Sequence, residues 1–95
     1  YINSVVKKLF VVPMLVTLRQ LQYVIAVAES GSFSKAAEQC FAEQSTISHQ
    51  VKTMEDKLGT LIFNRNSIPV KTTPEGEKIV EQAKQIIEQV EELIK

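Results

Sequence analysis

Between Leu18 and Leu58 apolar residues arrive in three short bursts at helical spacing, with almost nothing between them. Gly31 follows the first burst, and only Phe41-Ala42-Glu43-Gln44 separates the second from the third. Helices joined by connections this short must pack on one another. Leu18, Leu21, Ile25 and Ala28 recur every three or four residues, which predicts a helix over 18–30 with one apolar face. Gly31 is a usual helix stop. Ser34 is placed to cap a second helix over about 35–41, with Ala36, Ala37 and Cys40 facing inward. The paired alanines let a neighbouring helix come close. A third helix is predicted over about 45–58. Its buried stripe is Ile47, Val51, Met54 and Leu58, with Lys57 in the last turn and Gly59 after it.

The period changes after Gly59. Leu61-Ile62-Phe63 is a short β-type run, Asn64 to Pro69 is turn chemistry, and Val70-Lys71-Thr72 can return as a partner strand. These predict a two-stranded wing. Thr73 then caps, and Pro74 opens, a long helix over about 74–95, with Glu75 and Glu77 in the first turn. Ile79, Ala83, Ile86, Val90 and Leu93 step by four, three, four and three, a heptad-like seam. Glu77/Glu81 and Glu88/Glu92 are like-charged neighbours four apart, each costing an isolated helix roughly 0.2–0.5 kcal/mol. The helix therefore needs its seam packed, and a second copy of itself is the economical partner. Gly76 either marks a close backbone approach or is a tolerated residue of the first turn.

The expected fold is mainly α: a winged helix-turn-helix of three helices plus a small two-stranded wing, followed by a long dimerisation or linker helix. It divides into an N-terminal extension outside the core (1–13), the winged helix-turn-helix (14–73) and the linker helix (74–95). The opening mimics a secretion signal, with Lys7-Lys8 before an apolar run and Ala26-Val27-Ala28 as a mock cleavage site. Pro13 interrupts that run, Arg19, Gln20 and Gln22 separate it from the site, and it falls short of the ~20 residues of a membrane span. Met14 reads as the natural start.

Cys40 is the single cysteine and His49 the single histidine, so neither an internal disulfide nor a zinc cluster can form within one chain. A reducing, cytoplasmic setting fits, with Cys40 as a buried core thiol. Eleven bases balance 11 acids, which counts against a general basic patch. The distribution is uneven: six bases face five acids over 14–73, and three face six over 74–95. Any affinity for a polyanion must come from where those few charges sit.

The third helix offers the function. With its stripe buried, Ser45, Thr46, Ser48, His49, Lys52 and Thr53 face outward, and Gln44 stands at the entrance. Between Ser45 and Val51 there is no Glu or Lys, unlike most solvated faces. Short polar groups at the N-terminal end of an apolar-backed helix suit the major groove, where each base pair shows its own donor–acceptor pattern.

At these residues the chain resembles the LysR-type transcriptional regulators. The resemblance runs through LRQLQYVIAVAESGSFSKAAEQC (Leu18 to Cys40), QSTISHQVKTMEDKLGTLIFNR (Gln44 to Arg65) and TPEGE (Thr73 to Glu77), and covers about 14–95. It implies that the third helix enters the major groove and that the wing contacts the flanking minor groove or backbone. The family's base-reading positions fall on Gln44, Ser45, Ser48 and His49, with Lys52 and Thr53 nearby, and its wing arginine falls on Arg65. The terminal helix would pair with its copy and lead to a C-terminal effector-binding domain. A small-molecule effector would bind there, and no cofactor is expected in this chain. Glu43 stands where the family often has Ser or Thr, His49 where it often has Arg, and Ile68 or Pro69 where it often has a basic residue. With histidine in place of that arginine, the resemblance implies that guanine recognition by a bidentate fork is lost or altered.

The resulting expectation is a sequence-specific DNA-binding transcription regulator, bound to double-stranded DNA as a homodimer or tetramer. Gln44, Ser45, Thr46, Ser48, His49 and Thr53 would read bases. Lys35, Lys52, Arg65 and Lys71 would neutralise phosphates. Ile79, Ala83, Ile86, Val90 and Leu93 would form the dimer seam. A winged-helix protein-interaction module without DNA binding is the alternative that zero net charge keeps open. An enzyme is not expected: the sequence carries no paired carboxylates, phosphate-cradling loop or nucleophile–base set.

Overall fold

Thr17 starts the first helix. Its hydroxyl accepts from the Gln20 backbone N–H at 3.1 Å, and Gln20 Oε1 accepts from the Thr17 N–H at 3.0 Å, a reciprocal capping box. The computed structural model describes residues 16–95 together with Leu9, so the extension over 1–13 and the start at Met14 otherwise lie outside the described residues. The elements are α1 (Leu18–Ser30), α2 (Phe33–Gln39), α3 (Gln44–Leu58), β1 (Phe63–Asn64), β2 (Lys71–Thr72) and α4 (Pro74–Ile94).

α1 ends at Gly31, whose φ of 69° is the left-handed conformation that glycine adopts without strain. Its buried face is Gln20, Leu21, Tyr23, Val24 and Val27, which corrects the predicted stripe. Leu21 is core, Ile25 and Ala28 are half-buried, and Leu18 is exposed. The cause is position: α2, α3 and α4 all pack on α1, so its buried face is broad and centred on Val24.

α2 also departs from expectation. Ser32, not Ser34, caps it, accepting from the Lys35 N–H at 3.1 Å, and the helix runs over 33–39. Starting earlier brings Phe33 edge-on to Phe63, with ring centroids 6.0 Å apart. Ala36 and Ala37 are buried as expected, while Cys40 is the C-cap residue, half-buried against the core.

α3 begins at Gln44, one residue earlier than predicted, because the Glu43 carbonyl accepts from the Ile47 N–H at 3.2 Å. Ile47, Val51 and Met54 are buried, but Leu58 is 42% exposed and the further buried side chain is Glu55. The wing strands are shorter than predicted. Phe63 pairs with Thr72 and Asn64 with Lys71 in an antiparallel ladder. Neither Ile62 nor Val70 is part of the ladder, and the N–H groups of both bond outside the wing. Ile62 N–H donates to Glu55 Oε2 at 2.8 Å, and Val70 N–H donates to the Gly31 carbonyl at 2.9 Å. These two bonds tie the wing to α3 and to the end of α1.

The Thr73 hydroxyl accepts from the Gly76 N–H at 2.9 Å and donates to the Leu61 carbonyl at 2.6 Å, fixing where α4 leaves the wing. Gly76 is buried directly against Ile62. Val80 and Ala83 enter the same core as Val24, Val27, Ile47, Val51 and Ile62, so the first turns of α4 complete the domain.

Candidate nucleic-acid interface

Ile47 and Val51 are fully buried, and that fixes which side of α3 looks outward. Gln44, Ser45, Thr46, His49 and Lys52 are exposed on it, and Ser48 and Thr53 are half-buried. Ser45 lies three and four residues before Ser48 and His49, and Lys52 four and three after them, so the four share one face. The Thr53 hydroxyl donates back to the His49 carbonyl at 3.0 Å, which leaves it only acceptor capacity for a ligand. The Glu43 carboxylate makes no capping bond. The first N–H groups of α3, which have no intrahelical partner, therefore stay open beside that exposed carboxylate.

The four expected phosphate contacts divide. Lys35 on α2, Lys52 on α3 and Lys71 on β2 are exposed. Arg65 is exposed as well, but its guanidinium is engaged by the chain itself. Its Nη1 donates to Ser48 Oγ at 2.7 Å, its Nη2 to the Ser48 carbonyl at 3.3 Å and to Glu55 Oε1 at 3.4 Å. The guanidinium carbon stands 4.6 Å from the Phe33 ring centroid, a cation–π contact. One-third of the Arg65 side chain remains exposed, whereas Glu55 is 4% exposed. The wing arginine is thus a strut between α2, α3 and the wing.

Sequence reasoning missed three supports of this surface. Glu55 accepts from the Ile62 and Phe63 N–H groups at 2.8 and 3.3 Å, holding the wing on α3. Its signal was position, since it stands four residues after Val51 and eight after Ile47, on the buried ridge. Phe33 carries both Phe63 and Arg65. Buried Gln20 donates through Nε2 to Gln50 Oε1 at 3.0 Å, locking α1 to the back of α3. The last two depend on contacts 30 or more residues away, and nothing local announces them.

Residues 18–77 match the model of the bacterial regulatory helix-turn-helix proteins of the lysR family. The chain belongs to that family. It is 39% identical over 77 residues to the HTH-type transcriptional regulator BenM of Acinetobacter baylyi, covering 81% of this chain and 25% of that protein. It is 37% identical over 76 residues to the DNA-binding transcriptional dual regulator OxyR of Escherichia coli, covering 80% and 25%. This LysR-family chain spans about a quarter of the length of the curated relatives it matches. Its fold superposes with a TM-score of 0.81 on the crystal structure of a BenM_DBD/benA site 1 DNA complex, at 38% identity over 83% of this chain and 89% of that one.

The expected dimer seam is split in this LysR-family fold. Ala83 is 1% exposed and Ile79 is half-buried against the core, so both face the chain's own domain. Ile86 and Leu93 are exposed and Val90 is half-buried. An open apolar groove of about 750 Å³ lies between α1, α3 and α4, with Leu18, Met54, Leu58, Ile79 and Ile86 among its walls. Among the described residues no helix is long and apolar enough to cross a membrane.

Proposed function

We propose that the chain binds double-stranded DNA sequence-specifically and regulates transcription, with α3 in the major groove. The observation that carries this is the outward face of α3. Short polar side chains stand open to solvent there, on a helix pinned from behind by Ile47 and Val51. Family membership supports it, as does the likeness to a domain solved on its DNA site. Gln44, Ser45, Thr46, Ser48 and His49 face base edges, with Thr53 restricted to accepting. Lys35, Lys52 and Lys71 meet phosphates, and the open N–H groups of the first turn of α3 offer a further phosphate cradle. The chain is read as a cytoplasmic binding protein and not an enzyme. A small-molecule effector would act through a C-terminal domain as it does in the family.

Fluorescence-anisotropy titration against duplexes selected from random DNA tests this reading. Lys52→Ala is expected to weaken binding to all sequences alike and to lower the slope of log K against log salt by about 0.9, the share of one phosphate contact. Ser45→Ala and His49→Ala are expected to change the selected sequence. No affinity even at low salt would sink DNA binding and leave the protein-interaction reading standing.

The same reading includes a dimer, formed through Ile86, Val90 and Leu93 and the apolar groove beside them. Ile79 and Ala83 then serve mainly to hold α4 on its own domain. Two recognition helices related by a two-fold would meet half-sites a multiple of ~34 Å apart along the duplex. Ile86→Glu with Leu93→Glu is expected to yield a monomer in sedimentation equilibrium with an unchanged far-UV spectrum. A doubly substituted chain that still sediments as a dimer would place the interface elsewhere.

A further inference from the structure

We propose that Arg65 acts on DNA through Ser48: it holds the serine hydroxyl as a hydrogen-bond donor aimed at an acceptor atom of the duplex, and is a positioning residue, not a phosphate contact. The inference rests on the DNA-binding reading above and specifies how one side chain of that surface is set.

The guanidinium is fixed by Ser48 Oγ at 2.7 Å, the Ser48 carbonyl at 3.3 Å, Glu55 Oε1 at 3.4 Å and the face of Phe33 at 4.6 Å. Arginine has only donors and keeps its charge at any working pH. The Ser48 oxygen must therefore accept in this bond, and its own proton points elsewhere. Among the described residues that proton meets no acceptor, although Thr53, five residues further along α3, uses its own on the helix backbone. A hydroxyl that accepts from a cation becomes a stronger donor and a weaker acceptor. Ser48 stands between Ser45 and Lys52 on the outward face, where a free hydroxyl would bond donors and acceptors about equally. Held by Arg65, it favours guanine O6 or N7, adenine N7, thymine O4 or a phosphate oxygen, and disfavours the cytosine amino group. Moving Arg65 out to a phosphate would break its bonds to Ser48 and strip buried Glu55 of its cation.

The test is a double-variant cycle on the duplex preferred by the unaltered chain: Ser48→Ala, Arg65→Ala, both together, and Arg65→Lys, with folding checked by circular dichroism. Each single loss is expected to weaken binding about tenfold, the share of one charge-assisted hydrogen bond. The double variant should lose little more than either single one, and the salt slope should stay at its original value. Arg65→Lys should fold and fail to restore affinity, because a point charge cannot reproduce the planar fork. Single 7-deazapurines and single methylphosphonates then locate the acceptor. The substitution that weakens the unaltered chain but not Ser48→Ala marks it as a base edge or a phosphate. Additive losses, a slope lowered by about 0.9 in Arg65→Ala, or rescue by lysine would overturn the proposal in favour of a direct phosphate contact. Failure of the unaltered chain to bind DNA at all would instead remove the reading on which it stands.

Discussion

Glu55→Ala is expected to destabilise this domain by about 2–6 kcal/mol, chiefly because it strips two buried backbone N–H groups of their acceptor. The carboxylate is 4% exposed and accepts three bonds. Two come from the N–H groups of Ile62 and Phe63, residues 0% and 1% exposed, so water cannot replace the lost acceptor without opening the core. Each buried donor left unmade costs about 1–3 kcal/mol. The third bond comes from Arg65, which would lose its only carboxylate partner among the described residues. Small single domains hold only about 5–15 kcal/mol in total, so the variant should unfold at far lower urea. Glu55→Gln separates the two tasks. If its carbonyl oxygen stays on the Ile62 and Phe63 N–H groups, its amide NH₂ faces the Arg65 guanidinium, donor against donor. That variant should fold, losing about 1–2 kcal/mol, with the wing in place and Arg65 released. Urea unfolding followed by circular dichroism is the measurement. A midpoint for Glu55→Ala close to that of the unaltered chain would mean the carboxylate does not hold the wing.

The helices were legible because their apolar spacing is local information. Ile47, Val51 and Met54 mark one face whatever covers it. Leu58 failed because the pattern reports that a residue is apolar, not that something lies opposite; here an open groove does. The cap of α2 failed because Ser32 and Ser34 have equal intrinsic claims. The choice was made by Phe33 reaching Phe63, thirty residues on. The strands were read too long because Ile62 and Val70 have β-type side chains, yet their N–H groups bond to Glu55 and Gly31 and not to each other's strand. The outward face of α3 was legible as a set of residues. What the set can donate or accept was not, since Ser48 and Thr53 are conditioned by Arg65 and by the helix backbone. Arg65 could be placed on the wing from the resemblance, but its direction depends on a buried Glu that looks, between Met54 and Asp56, like any surface acid.

Gly76→Ala is expected to destabilise the domain by about 2 kcal/mol, against the usual sign for a helical glycine. In an exposed helix the change would gain about 1 kcal/mol from propensity alone. Here a Cβ on Gly76 would overlap the Ile62 carbonyl oxygen and lie 2.7 Å from its carbonyl carbon. Overpacking of this kind costs typically 1–3 kcal/mol and more where the neighbour cannot yield. Ile62 is such a neighbour. Its N–H is held by Glu55 at 2.8 Å and its carbonyl accepts from the Thr73 N–H at 2.9 Å. Relief must therefore come from α4, whose first turn is itself tied by Thr73 to Leu61. A helix levered outward at this point would carry Val80 and Ala83 out of the core, turn Ile86 away from the groove's other walls and displace Leu93 further along the same helix. Gly76→Ala should thus lower the melting temperature and weaken self-association together, whereas Ile86→Glu with Leu93→Glu should affect association alone. Gly59→Ala is a useful contrast. Nothing lies within 4 Å of its Cβ, and its cost, about 1–2 kcal/mol, would come from the φ of 72° and leave association untouched. A melting temperature raised by Gly76→Ala would show that the helix start stands off from Ile62. The close approach that orients α4 toward its partner would then be absent.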